Sequence, residues 1–180
     1  MDTIQIDEQN IILRSFKIGD KENLLRYFNK LSDQSKKRFG PHPFTLEAID
    51  EKYLDSLNYR MFVAYNAYND EIIAYTIVKF GWVEFDTGRL QSYGLSPETK
   101  DVTIAPSVAD DWQSKGLGGK FFSYVLECLK AEHEVTRLIL WGGVQSDNEK
   151  AVRLYKKFNF RFLGEFEHHG MNMDMVLKLK

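Results

Sequence analysis

Residues 108–120 read VADDWQSKGLGGK, and the reading of this stretch decides the fold. Just before it, residues 101–108 (DVTIAPSV) have the β-branched content of a strand, with Pro106 suited to an edge or a bulge. Just after it, Leu117, Phe121, Val125, Cys128 and Leu129 recur at helical spacing, which predicts an amphipathic helix over 116–131. Gly116, Gly118 and Gly119 therefore stand where a strand gives way to a long helix. The first N–H groups of a helix have no intrahelical acceptor, and the macrodipole adds partial positive charge there. A diphosphate suits such a place, and each charge-assisted bond to it is worth roughly 1.5–3 kcal/mol. Lys115 and Lys120 add charge at the rim, and Gln113 adds an amide donor. Two familiar phosphate loops do not match. A Walker loop needs Ser or Thr after its lysine, and Lys120 is followed by Phe121; a dinucleotide fingerprint needs a third glycine where Phe121 stands. Three glycines ahead of a helix also fit a plain tight turn, so the flanking sequence has to weigh in.

Downstream, residues 137–141 (RLILW) are almost wholly apolar, as in a strand covered on both faces. Ser146-Asp147-Asn148-Glu149 has the form of a capping box, opening a helix with Ala151, Val152, Tyr155 and Phe158. Residues 160–167 and 173–179 close the chain as a hairpin. Upstream, residues 11–16 (IILRSF) are a first strand, and the polar, acidic residues 1–10 precede it. Asp20 is placed to cap a helix over 20–31, residues 36–44 (KKRFGPHPF) break regular structure, and Thr45 caps a second helix with Leu46, Ile49, Tyr53 and Leu57 on one face. Strands over 61–65 and 72–80 flank a turn at 66–71. Residues 82–98, with Gly88, Gly94 and Pro97, read as a long loop. The order β-α-α-β-β-β-α-β-α-β-β gives one α/β (mixed α+β) domain over 1–180, with about seven strands in a mixed sheet and about four flanking helices.

Gln113-Ser114-Lys115-Gly116-Leu117-Gly118 resembles the Q/R-x-x-G-x-G/A motif of the GNAT-type N-acetyltransferases. The downstream run resembles the same family: a strand, Asn148, a helix with Ala151 and Tyr155, then Phe158-Asn159-Phe160. Asn159 stands for the usual glycine and Ser114 for a frequent one; asparagine tolerates the left-handed conformation a helix end requires. The resemblance is specific over residues 102–166 and weaker over 11–80. It implies a GNAT-like fold whose twisted, mainly antiparallel sheet splays between strands 102–108 and 137–141. It implies acetyl-CoA as cosubstrate, its diphosphate on Gln113, Ser114, Lys115, Gly116, Leu117, Gly118, Gly119 and Lys120, its pantetheine arm along Pro106, Ser107 and Val108, and Asn148 touching the arm or a water. An amine acceptor follows, and the frequency of dimers in the family makes a homodimer an expectation.

Amide formation from a thioester needs a neutral amine, a stabilised oxyanion and a proton for the departing thiolate. By the resemblance Tyr155 supplies the proton, although its apolar neighbours also suit it to the core. A backbone N–H near Val108 would meet the oxyanion. Some family members carry a Glu five residues before the asparagine; Gly143 stands there, so Glu84 and Asp86 in the 82–98 segment become the candidate carboxylates. His42, between prolines, and the rings of Phe39, Phe44, Trp82 and Phe85 are candidates for the acceptor side.

Composition excludes other classes. The 180 residues carry a formal net charge of −2, which gives no electrostatic footprint for nucleic acid, and Lys36-Lys37-Arg38 is too short a run to change that. No apolar run is long enough to span a membrane. His133, His168 and His169 lack metal-ligand spacing, so no metal is expected. A single cysteine, Cys128, and the absence of a signal-peptide layout suggest the cytoplasm. A non-catalytic acyl-CoA-binding or sensing domain is one competing reading, since it keeps the glycine loop without a carboxylate at Gly143; a nucleotide-phosphate-binding module is another.

Overall fold

The computed structural model describes residues 1–179, apart from the side chains of Glu132 and His133. His133 therefore lies outside the described side chains. The fold is mixed α/β with a mostly antiparallel sheet. The chain divides into two compact units, Met1–Ile77 with Pro106–Cys128, and Val78–Ala105 with Leu129–Lys180.

In the first unit, strands β1 (Asp2–Ile6), β2 (Gln9–Ser15), β3 (Tyr59–Asn66), the start of β4 (Glu71–Phe80) and the end of β5 (Asp101–Val108) follow one another in the order β1-β2-β3-β4-β5. The sequence reading missed β1. Its residues 2–5 are exposed or half-buried, so apolar content does not announce it. What makes the hairpin is Asp7 and Glu8, both left-handed at φ 47° and 62°, which turn Ile6 back onto Gln9.

Helices α1 (Lys21–Lys30), α2 (Asp33–Arg38) and α3 (Leu46–Leu54) follow β2. Asp20 precedes α1 as expected, but its carboxylate makes no cap bond to the helix. It takes a bidentate pair from Arg14 at 2.6 and 2.8 Å, the Lys17 N–H at 2.8 Å and the Tyr65 hydroxyl at 3.0 Å. Burial pushes that carboxyl up, yet these donors outweigh burial and leave it below its ordinary pKa. The predicted breaker at 36–44 starts later, at Phe39, because Ser32 caps α2 by accepting from the Ser35 N–H at 3.2 Å. Thr45 caps α3 as expected, from the Ala48 N–H at 3.2 Å. Leu57, expected on the apolar face, lies beyond that helix and is 88% exposed.

His42 is a core residue rather than an exposed contact. Its Nδ1–H donates to the Pro43 carbonyl at 2.7 Å, and its Nε2 accepts from the Tyr75 hydroxyl at 3.1 Å. Phe28 and Phe44 pack around it, with ring centroids at 5.6 and 6.2 Å. Burial lowers the pKa of this imidazole, and Lys52 lowers it further, against the Pro43 carbonyl and Glu51. The unfolded chain takes up a proton near pH 6.5 while the folded one resists it. Stability is therefore full above that pH and is lost as pH falls through the depressed folded value. Denaturation midpoints should drop between about pH 7 and about pH 5, and His42→Gln should flatten that slope. An unchanged slope in the variant would assign the drop to other groups.

The second unit contains the end of β4, the start of β5, β6 (Arg137–Leu140), β7 (Val144–Gln145), β8 (Arg161–Glu167) and β9 (Met171–Lys178), ordered β5-β6-β9-β7 with β8 also on β9. The pair β5–β6 is parallel, and its register runs from Asp101↔Arg137 to Ile104↔Leu140, where β6 ends. The expected loop at 82–98 contains helix α4 (Glu84–Ser92). Its signal was weak: Gly88 interrupts it, Val83 offers no side-chain cap, and only Asp86 and Leu90 are buried. Leu90 packs with Trp82, Ile139 and Val176. Helix α5 (Leu117–His133) matches the predicted 116–131, and α6 (Glu149–Lys157) follows β7. Among the described residues the strands number nine and the helices six, against about seven and four expected from sequence.

Helix α6 ends as its sequence implied. Asn159 is left-handed at φ 63°, its N–H donates to the Lys156 carbonyl at 3.0 Å, and the Phe160 N–H reaches the Tyr155 carbonyl at 3.0 Å. These two bonds are a Schellman closure. The ring of Phe160 lies 5.2 Å from that of Tyr155, the apolar contact that accompanies such an ending. Asn159→Val should cost about 1–2 kcal/mol, and Asn159→Gly should be neutral or stabilising. Urea denaturation of both variants checks the sign.

Candidate cofactor loop and catalytic residues

In the first unit β5 ends at Val108, and the Ala109 N–H donates to the Ile73 carbonyl at 2.9 Å. A 3-10 turn over Asp110–Trp112 follows. Gln113 then folds its amide back onto the Val108 carbonyl at 3.2 Å. That bond shapes the loop from within, whereas the sequence suggested a donor aimed at a ligand. Ser114 and Gly116 are left-handed, at φ 63° and 84°, and swing the chain into α5 at Leu117. Leu117 is buried and anchors the helix start, while Gly116 is exposed and Gly118 and Gly119 are half-buried.

The loop fits a diphosphate. A Cβ built on Gly116 meets nothing within 4 Å, so this part of the backbone faces open space. The leading N–H groups of α5 lack acceptors inside the helix. Two ammonium groups flank the turn. Lys115 lies 3.3 Å from Asp7 and over the Trp112 ring at 5.3 Å, and Lys120 donates to the Gln5 carbonyl at 3.0 Å. Both lysines thus contact the N-terminal hairpin that the sequence reading left out.

The strand end before the loop is half-buried at Pro106, Ser107 and Val108. The Ser107 hydroxyl is already engaged: it donates to the Tyr75 carbonyl at 3.3 Å and accepts from the Tyr27 hydroxyl at 2.8 Å. Neither Tyr27 nor Tyr75 was singled out from sequence, because their partners lie far along the chain.

In the second unit Tyr155 is buried on α6, and burial pushes its hydroxyl pKa up, so the proton stays on through neutral pH. The expected capping box at Ser146 is not formed. Asn148 is the cap of α6 instead, its carbonyl oxygen accepting from the Ala151 N–H at 3.3 Å. The Ser146 N–H goes to the Met171 carbonyl at 2.9 Å.

Gly143 is obligatory. It is left-handed at φ 70°, and a Cβ there would sit 2.8 Å from the Met173 carbonyl and 2.9 Å from the Phe166 ring. With this chain's backbone and its Met173 and Phe166 neighbours, position 143 has no room for a carboxylate side chain. Glu84 and Asp86 lie in the first turn of α4, not in a loop. Asp86 is 1% exposed and takes Arg89 at 2.8 Å and the Gly142 N–H at 2.9 Å. Arg89 also binds Asp174 at 2.5 and 3.1 Å and covers the Phe166 ring at 3.6 Å. Asp86 therefore fixes the Gly142–Gly143 turn, and Glu84 is the exposed carboxylate of the two. Phe85 is exposed beside His168, while Trp82 is a core ring. Among the described residues no three His, Cys, Asp or Glu side chains are grouped to hold a metal, and no helix is long and apolar enough to cross a membrane.

The sequence pattern of the acetyltransferase (GNAT) family matches residues 25–160. The chain belongs to that family. It is 30% identical over 96 residues to the spermine/spermidine N(1)-acetyltransferase of Bacillus subtilis (strain 168), an overlap that takes in 49% of this chain and 62% of that relative. The fold is that of the GNAT domain of S. lividans PAT, with a TM-score of 0.74 at 18% identity over 99% of this chain and 96% of the other. The ribosomal-protein-S5-alanine acetyltransferase of Vibrio fischeri gives 0.74 at 13% identity over 99% and 97%. An aminoglycoside acetyltransferase solved with coenzyme A gives 0.67 at 23% identity over 94% and 95%.

Proposed function

We propose that this protein is an N-acetyltransferase that transfers the acetyl group of acetyl-CoA to a primary amine of a small molecule or a protein, by direct attack in a ternary complex. The open glycine turn at the mouth of α5, flanked by Lys115 and Lys120, carries the reading. Ser114 to Lys120 would hold the diphosphate, with Gln113 shaping the turn, Pro106 to Val108 lying along the pantetheine arm, and Asn148 touching it. Bound acetyl-CoA supplies an activated thioester. Tyr155 Oη keeps its proton at neutral pH and delivers it to the departing sulfur. Alkyl ammonium groups titrate near about 10.4, so the acceptor must lose a proton, and Glu84 is the carboxylate assigned to receive or orient it. Asp86 is committed to Arg89 and Gly142 and is not assigned that task. A single cysteine, Cys128, suits the cytoplasm.

The polyamine and aminoglycoside acetyltransferases among the similar proteins support an amine acceptor. One observation favours a second reading, an acyl-CoA-binding domain without turnover: Gly143 leaves no room for a carboxylate. Release of free CoA, measured with polyamines, amino acids, aminoglycosides and peptides, separates the two. Acetylated product identified by mass supports the enzyme. CoA binding by calorimetry with no product from any acceptor class supports the sensor.

A further inference from the structure

We infer that Asp110 is a positioning residue for the cofactor loop, holding the β5–α5 connection in its binding shape by latching it to the start of α2; this rests on the proposed acetyl-CoA reading. One carboxylate oxygen accepts from the Ser32 N–H at 2.9 Å, and the other from the Ser32 and Ser35 hydroxyls at 2.8 and 2.6 Å. Three donors from one corner meet a carboxylate 75 to 78 residues away in sequence. Burial acts to raise the Asp110 pKa, but the serine donors outweigh it and the group stays below its ordinary value, as a charged acceptor.

The latch matters because of where Asp110 stands. It opens the 3-10 turn, and the Gln113 N–H donates back to its carbonyl at 3.3 Å. Gln113 in turn closes on Val108. The left-handed pair Ser114 and Gly116 follows at once. The direction in which α5 presents its leading N–H groups thus depends on the loop's entry point being fixed. Backbone bonds and the Gln113 amide tie that entry within the loop, and the Asp110 carboxylate ties it to α2. At the other end, Ser32 is also the cap of α2, a helix with no buried residue of its own. Its ends are held by the buried Leu31 and Phe39, and its first turn is held by the cap and the latch. The aspartate therefore orders two segments at once.

The test is CoA titration calorimetry and acetyl-CoA kinetics on the full chain, with Asp110→Ala, Asp110→Asn, Ser35→Ala and the double variant Asp110→Ala/Ser35→Ala. Asp110→Ala should raise the Kd for CoA and the KM for acetyl-CoA about tenfold, with a much smaller change in kcat. Asp110→Asn should lie between it and the parent, because one acceptor oxygen remains. Adding Ser35→Ala to Asp110→Ala should produce no further loss, since the partner is already gone. Leu24→Ala, which removes a fully buried side chain of α1 that takes no part in the latch's hydrogen bonds, serves as the stability control and should lower Tm without raising the Kd. Equal CoA affinity in the parent and Asp110→Ala would overturn the latch while leaving the acetyl-CoA reading intact. No CoA binding by the parent would overturn that reading itself. Additive losses in the double variant would also overturn the latch.

Discussion

Tyr155→Phe is expected to lower kcat by about a hundredfold or more, while the KM for acetyl-CoA stays within about threefold. The substitution removes one oxygen and keeps the ring. The ring is what packs: it lies against Phe160, and the Schellman closure at Asn159 fixes the backbone beneath it. The variant should therefore fold, with a Tm close to that of the parent. What it loses is a proton held on a buried phenol whose pKa burial has pushed up. A high pKa weakens the phenol as an acid in water, but a nascent thiolate is a base, and donation at the moment of its departure stabilises the developing charge. The pH dependence sharpens the test, because a phenol titrating far above neutrality gives no alkaline fall in kcat near pH 8 to 9, roughly the range of a free thiol. Equal turnover in Tyr155→Phe would remove the acid role and leave the tyrosine as core.

The largest loss of stability is expected from Asp101→Ala, about 3–5 kcal/mol. Asp101 and Arg137 face each other in the parallel β5–β6 register. The carboxylate, 1% exposed, binds Arg137 at 2.8 and 2.5 Å, the Trp82 indole N–H at 2.6 Å and the Glu98 N–H at 2.9 Å. Arg137 keeps Glu98 at 2.9 Å and the Ser96 carbonyl at 2.6 Å after the change. Those partners soften the loss, but an indole N–H and a backbone N–H are left without their acceptor. Asp101→Asn retains shape and loses charge, so it should cost less. In a protein of this size the Ala variant should lower Tm by about 10 °C or more. A loss under about 1 kcal/mol, typical of an exposed pair, would show that water reaches the network.

Legibility in the sequence followed the range of the interaction concerned. The turn at 113–120 and helix α5 were readable because glycine placement and apolar spacing are local. Asn159 was readable for the same reason, and its left-handed φ of 63° follows from its place after α6. Strand β1 was not, since its hairpin depends on two acidic residues adopting left-handed φ rather than on glycine. Helix α4 was not, since Arg89 is held to Asp174, 85 residues away, more than by any helical signal of its own. At the site, the motif located the loop but not the inward turn of Gln113. It named Glu84 and Asp86 together and could not tell that one is bound to Arg89 and the other exposed.

The sequence by itself determined the family, the strand-turn-helix around Gly116, and the placing of Tyr155 on the helix after Asn148. These rest on residues within one or two turns of each other, where backbone preference and side-chain size decide the conformation. Tertiary structure alone decided which carboxylates are spent on structure, that Gly143 can bear no side chain, and that Asp110 meets Ser32 and Ser35. Each of those outcomes depends on atoms brought together across dozens of residues by the folding of a mixed sheet, and no local pattern encodes which distant group will arrive.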